Sequence, residues 1–489
     1  MHRKTRTTLA TVAAAVVTGP LLTFMAATSA VAVDGTVATQ ADFNGDGIGD
    51  VATSASAAYV GGKADAGQMV IVYGVKGTGP TATKRSVISQ NTSGVPGSAE
   101  TGDRFGYDNA YADFNGDGYD DLAVGAYGED LGTDKDAGML TILWGSAAGI
   151  TGAGSVQIAD PAGSSHDLWG RRFAAGDFDG DGKQDLAVGT DHSKVYVLKG
   201  GITKDGAYGS RQTLQAPIRT DAAPADLTAG NVNGDAATDL VVSGYEADSD
   251  QGWNANFLLL GGGSGLNASA YQKLRPGVIT GIGDIDGDHF GDIVTGASWD
   301  AVEDGMTMPY AAKGGKVWIT YGSASGAGAV QGITQDTAGV PGTSETDDAF
   351  GYELDLGNVN GDAYLDLVIG AAGENIGSAT DTGDVVVLYG TADGITGAGA
   401  QSFHQDTAGV PGSNENYDLL GRDVKLDDVT GDGRADVVVG SGENDGNGSI
   451  TFLPSDGSRI TTTGSRALSP SALGVSTSGT PLLGANFAD

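Results

Sequence analysis

The stretch ADFNGDGIGD (residues 41–50) sets Asp42, Asn44, Asp46 and Asp50 on one short loop, with glycines between them. Two carboxylates about 5 Å apart repel by roughly 3 kcal/mol at an effective dielectric near 20, so a loop that converges several of them calls for a cation in their midst. Counting from Asp42, side-chain oxygens fall at positions 1, 3, 5 and 9, glycine at 4, and a peptide carbonyl is available at 7. An all-oxygen set on a pliable loop suits Ca²⁺, whereas zinc would require His or Cys.

The pattern recurs as DFNGDGYDD (113–121), DFDGDGKQD (177–185), NVNGDAATD (231–239), DIDGDHFGD (284–292), NVNGDAYLD (358–366) and DVTGDGRAD (428–436). The expected ligands of the first loop are Asp42, Asn44, Asp46 and Asp50 with the carbonyl of Ile48, and of the second Asp113, Asn115, Asp117 and Asp121 with that of Tyr119. Asp177, Asp179, Asp181 and Asp185 with Lys183 follow, then Asn231, Asn233, Asp235 and Asp239 with Ala237. The last three sets are Asp284, Asp286, Asp288 and Asp292 with Phe290; Asn358, Asn360, Asp362 and Asp366 with Tyr364; and Asp428, Thr430, Asp432 and Asp436 with Arg434. The side chain at position 7 varies freely, as expected where only backbone binds. Up to seven Ca²⁺ ions are expected, mainly structural, because a filled oxygen cage leaves no open position for substrate. The third and fifth loops, with four carboxylates each, should bind tightest, and the two Asn-rich loops, with two each, most weakly. An EF-hand is excluded: it needs Glu at position 12, where Thr53, Val124, Val188, Thr295 and Ile369 stand, and a helix afterwards.

A strand follows instead. DVATSA, DLAVGA, DLAVGT, DLVVSG, DIVTGA, DLVIGA and DVVVGS are short, apolar and rich in β-branched residues. A second such segment comes later in each unit (GQMVIVYG, GMLTILWG, GDVVVLYG), then a looser third, and the stretch before the next loop supplies a fourth. Loop starts lie 71, 64, 54, 53, 74 and 70 residues apart, a period that marks a propeller or solenoid rather than separate domains. The expected fold is all-β, a seven-bladed propeller of four-stranded antiparallel blades. The C-terminal LLGANFAD reads like FGYDNAYAD before the second loop, so it is expected to supply the inner strand that the first blade lacks and to close the ring; the alternative is a loose Ser/Gly-rich tail.

Of 489 residues 83 are Gly and 13 Pro, which favours turns over helices, and the formal charge of −36 argues against nucleic acid as a partner. Residues 1–32 carry Arg3, Lys4 and Arg6, an apolar run and small residues at Ala30 and Ala32, the pattern of a secretory signal cut after about Ala32. The propeller then occupies 33–489, and with no Cys its stability must come from core or ions rather than cross-links. A secreted, extracellular protein without a membrane span, and a monomer, is expected.

FGYDNAYADFNGDGYDDLAVGAYGE (105–129) and FGYELDLGNVNGDAYLDLVIGAAGE (350–374) resemble FG-GAP repeats of the integrin α-subunit propeller. The resemblance covers residues 34–489 and implies the propeller fold and Ca²⁺ ligation by the loop residues named above. The third, fourth, fifth and seventh units lack a clean FG, and proline is absent from the GAP positions. By the same resemblance, a protein or glycan partner would dock on the face opposite the Ca²⁺ loops, where Glu100, Glu129, Asp130, Glu345, Glu374, Glu415 and Glu443 are candidate contacts or simply turn-capping, solubilising acids. The five tryptophans could stack on sugar rings or serve blade packing.

No GxSxG, HExxH or His cluster is present, and His166, His192, His289 and His404 fall in different units. The expected protein is therefore not an enzyme but a secreted Ca²⁺-binding propeller serving as an integrin-like adhesion or ligand-binding module. The alternative is an extracellular hydrolase or polysaccharide lyase whose Asp/Glu pairs meet across the central channel.

Overall fold

Each loop's ninth-position aspartate begins, or directly precedes, a strand buried along nearly its whole length. These strands are Val51–Ala55, Asp121–Ala126, Asp185–Gly189, Asp239–Tyr245, Asp292–Ala297, Asp366–Ala371 and Asp436–Ser441. Their continuous Val, Leu and Ile content matches burial on both faces, as the middle layer of a stacked sheet requires. The computed structural model describes residues 40–163, 166–248, 252–303, 305–442 and 444–488; the expected signal segment, 1–32, lies outside them, as does Glu443.

Around these strands the chain builds seven antiparallel meanders. In blade 2, Asn109–Ala112, Asp121–Ala126, Met139–Leu143 and Val156–Ile158 pair in chain order, and blades 3 to 7 repeat the plan with four strands each. Blade 5 adds a small hairpin, Val302–Glu303 with Met306–Thr307, between its second and third strands. Among the described residues the one α-helix is Pro470–Leu473.

Blade 1 has three strands of its own, Val51–Ala55, Gln68–Val72 and Arg85–Ile88. Against the free edge of the first lies the C-terminal segment: Ser54 N donates to Asn486 O (2.7 Å), Ala488 N to Ala52 O (3.0 Å), and Thr53 faces Phe487 as an antiparallel bridge. The contact is a single bridge rather than a full strand.

Apolar side chains form one cluster at each of the seven blade interfaces, from the 1–2 interface (Phe43, Met69, Phe105, Leu122) round to the 7–1 interface (Val51, Val438, Ile450, Leu483, Phe487). The 4–5 cluster is the smallest, with buried Val232, Val241, Leu258, Leu274 and Ile293. The glycines explain how closely the blades approach. A Cβ on Gly125, Gly296, Gly370 or Gly440, the glycine of each GA-type ending, would lie 2.0, 2.1, 1.9 or 1.8 Å from the carbonyl oxygen of Gly170, Gly351, Gly421 or Gly484 in the next blade. The FG and GA glycines are thus two halves of one backbone contact. Gly484 of the C-terminal LLG plays this part for blade 1.

Candidate calcium loops and central channel

All seven loops share one internal scaffold. The position-5 carboxylate accepts the position-7 N–H in every copy, from Asp46 with Ile48 (3.1 Å) to Asp432 with Arg434 (3.0 Å). The position-9 aspartate clasps two segments. In the fifth loop Asp292 Oδ2 accepts Ile285 N (2.9 Å) and its Oδ1 accepts Gly322 N (2.9 Å), just past the next strand. Burial pushes these position-9 carboxyls upward: Asp239 to about 6, Asp121, Asp185, Asp292, Asp366 and Asp436 to about 7, and Asp50 to about 8. Desolvation is the main cause in each, and a neighbouring cation would offset it.

The loops also bond to one another around the ring. The position-8 N–H donates to the position-1 carbonyl of the preceding loop at Asp120–Asp42 (3.1 Å), Thr238–Asp177 (2.7 Å), Gly291–Asn231 (3.0 Å), Leu365–Asp284 (3.3 Å), Ala435–Asn358 (2.8 Å) and, across the closure, Gly49–Asp428 (2.9 Å). At five of the seven junctions the position-7 side chain rests on the position-4 glycine of the preceding loop. Tyr119 covers Gly45, Phe290 covers Gly234, Tyr364 covers Gly287, Arg434 covers Gly361 and Ile48 covers Gly431. The sequence left position 7 unconstrained, because its neighbour belongs to another repeat.

The loops divide by what neutralises them. Asp177, Asp179 and Asp185, and likewise Asp284, Asp286 and Asp292, each bring carboxylate oxygens within 4.8 Å of one another, which is the donor set a hard divalent ion takes. These belong to the two four-carboxylate loops. In the third loop Lys199 Nζ lies 2.9 Å from Asp179 Oδ2, while Asp179 Oδ1 is buried with no hydrogen-bond partner, so a lysine competes there with a metal. Lys204 bonds Asp117 of the second loop (2.8 Å). Asn44 and Asn115 turn their amide groups onto Asp50 and Asp121. The two Asn-rich loops satisfy themselves, Asn233 Nδ2 donating to Asp235 Oδ2 and Asn360 Nδ2 to Asp362 Oδ2, each at 2.9 Å. The seventh uses Thr430, whose hydroxyl faces Asp428 at 3.4 Å. The fifth loop therefore has the best fit to Ca²⁺: three converging carboxylates and no lysine between them.

On the loop side of the channel a cavity of about 430 Å³ is lined by Asp108, Asp226, Glu353 and Asp423. Each stands five residues before its loop, where blade 3 has Arg172 and blade 5 Ile279. That offset was visible in the sequence, but nothing there says that residues so far apart share one channel. Two of these acids tie neighbouring blades together: Asp108 accepts Phe173 N (3.1 Å) and Asp423 accepts Phe487 N of the C-terminal segment (2.6 Å). Arg172 Nη1 lies 3.9 Å from Asp108.

On the opposite face Glu129 and Glu374 turn inward, while Glu100, Glu345 and Glu415 stay exposed. Glu129 accepts Gln90 Nε2 and Glu374 accepts Gln335 Nε2, both at 2.6 Å, whereas Glu100, Glu345 and Glu415 direct their backbone N–H groups to Asp103, Asp348 and Asp418. Asp130 pairs with Lys135. Of the tryptophans, Trp169 is fully buried and its indole donates to Ile158 O (3.1 Å). His166 stacks beside it, and no second histidine joins them among the described residues.

The FG-GAP repeat family matches residues 105–143, 169–207 and 350–388. The second match starts at Trp169–Gly170, so tryptophan fills the place of the missing Phe in the third unit. Phosphatidylinositol-glycan-specific phospholipase D of Mus musculus is 32% identical over 154 residues, covering 32% of this chain and 18% of that protein. The proteins of the same name from Rattus norvegicus (28% over 240 residues, 49% of this chain) and Bos taurus (28% over 191 residues, 38%) also match, so the chain spans between 18% and 27% of its curated relatives' length. These relatives are named as enzymes, which overturns the expectation of a non-enzymatic protein. That expectation rested on local motifs, and groups contributed by separate blades leave no local motif. No described helix is long and apolar enough to cross a membrane.

Proposed function

Because the chain is a propeller built on FG-GAP repeats, we propose that it belongs to an extracellular, Ca²⁺-binding hydrolase directed at glycan-bearing phospholipid, the class named by its relatives. The observation that carries this reading is the similarity to those phospholipases over as much as 49% of the chain. The channel cavity supports it. Its carboxylates are acceptors for the hydroxyls of a glycan, and Glu353 or Asp226 is of the type that takes a proton from attacking water. Bound Ca²⁺ would offset the acidity of the cavity wall, which otherwise repels a phosphodiester. Two cations stand near that wall, Arg172 Nη1 at 3.9 Å from Asp108 and Lys425 Nζ at 5.5 Å from the Tyr111 ring centroid.

The test uses the purified chain with a phosphatidylinositol-glycan-anchored reporter and a panel of neutral glycosides, with and without Ca²⁺. Release of the anchored reporter is expected, falling about a hundredfold in Glu353→Gln at unchanged melting temperature. A folded, Ca²⁺-loaded chain that releases no product from any member of the panel would overturn the reading.

A further inference from the structure

Blade 5 carries a longer connection than its neighbours between its second and third strands, and its hairpin leaves Val302, Met306 and Tyr310 exposed. Where this connection meets blade 4, at the interface with the smallest apolar cluster, lies a second cavity of about 650 Å³. Trp253, Lys273, Arg275, Pro309, Tyr310 and Thr320 are among its walls. Trp253, Arg275 and Tyr310 all sit on connections of the face opposite the Ca²⁺ loops.

Its electrostatics run against the rest of the molecule. In a chain with a net charge of −36, the Arg275 guanidinium lies 4.4 Å from the Tyr310 ring centroid and 5.3 Å from that of Trp318, while Lys316 Nζ lies 3.6 Å from the Trp318 ring. Lys273 is neutralised by Glu246 and Asp248. Neither Arg275 nor Lys316 has a carboxylate partner among the described residues, and Lys316 is held below the ordinary lysine range by desolvation and by Arg275. The Nε of Arg275 and the indole N–H of Trp318 are buried without an acceptor. The Arg275 guanidinium, with an unused donor and the Tyr310 ring against it, is stabilised by an anion placed beside it in the cavity, and Lys316, on the Trp318 ring, adds to the positive field there.

We infer that this cavity binds an anionic saccharide, the sugar ring lying against Tyr310 and Trp253 and its phosphate or carboxylate held by Arg275, with the nearby Lys316 adding its positive field from outside the lining. The aromatic surface accepts the C–H face of a sugar, and the donors take its charge and hydroxyls. The acidic surroundings exclude a long polyanion but not a short ligand of one to three charges, since repulsion at the surface is screened beyond about 8 Å at physiological salt. Binding here involves no bond cleavage and stands independently of any hydrolysis in the channel.

Calorimetry of the full chain with myo-inositol 1-phosphate, trigalacturonate, neutral galactotriose and inorganic phosphate tests this. One or both anionic sugars should bind, which of them separating a phosphorylated from a uronic ligand. Arg275→Gln should weaken binding about tenfold at unchanged melting temperature, with partial recovery in Arg275→Lys, and Lys316→Gln should weaken it less. Trp253→Ala should weaken the sugar ligand and leave inorganic phosphate unaffected. Galactotriose binding as tightly as the anions, affinity unchanged by Arg275→Gln, or no anionic sugar binding to the folded chain would overturn the proposal.

Discussion

Single residues in this protein mostly serve two masters, and the position-9 aspartates show it best. Asp292 was expected as a metal ligand, yet its oxygens also hold the N–H groups of Ile285 and Gly322. Asp292→Ala should therefore cost about 3 kcal/mol even in EDTA, because two buried donors lose their acceptor, and urea unfolding with and without Ca²⁺ separates that loss from the metal's share. On the opposite face burial pushes Glu129 up to about 7 from the ordinary 4.5. The native state keeps a proton that the unfolded chain releases, so this group's stabilisation is complete below about pH 4.5 and is lost as the pH rises through 7. Glu129→Gln cannot ionise and still accepts from Gln90. The variant should exceed its parent in urea midpoint at pH 8 and match it near pH 4.5; a gain of equal size at both would refute the assignment.

At the level of elements, the repeat is a device for joining blades as much as for making them. The second strands were plain in the sequence, since runs such as DLAVGA and DLVIGA are too short and too β-branched for helices. The joints were not. Gly45 and Gly47 both adopt positive φ (70° and 77°), but only a Cβ on Gly45 would strike the Tyr119 ring, at 2.7 Å, whereas nothing lies within 4 Å of one on Gly47. Gly45→Ala should thus destabilise by about 1 to 3 kcal/mol more than Gly47→Ala, the difference measuring the interblade contact alone. At the 4–5 interface, where five buried apolar residues do the work done elsewhere by fourteen or more, strands should exchange amide hydrogens soonest. Uniform protection around the ring would contradict that reading.

For the whole molecule, closure and ion binding are linked, because the loop-to-loop hydrogen bonds, present at six of the seven junctions, include the one across the seam, Gly49 to Asp428. Saturating Ca²⁺ at about a hundred times its Kd should add about 2.7 kcal/mol per occupied site and raise the melting temperature, with Asp286→Asn removing the tightest site and Asn233→Ala removing little. Truncation before Leu483 strips the bridge from Val51–Ala55 and bares a sheet edge. The truncated chain should melt lower and self-associate on gel filtration.

By itself the sequence determined the number of blades, the order of their strands and the place of every acidic loop. These depend on patterns within some ten residues, the range over which turn chemistry and strand alternation act. Tertiary structure alone decided that Asp108, Asp226, Glu353 and Asp423 share a cavity, that Lys199 enters the third loop, and that Arg275 and Lys316 converge on Tyr310 and Trp318. In a ring, residues contributed by different blades become neighbours, and charges or rings that meet across such an interface leave no spacing along the chain from which their meeting can be read.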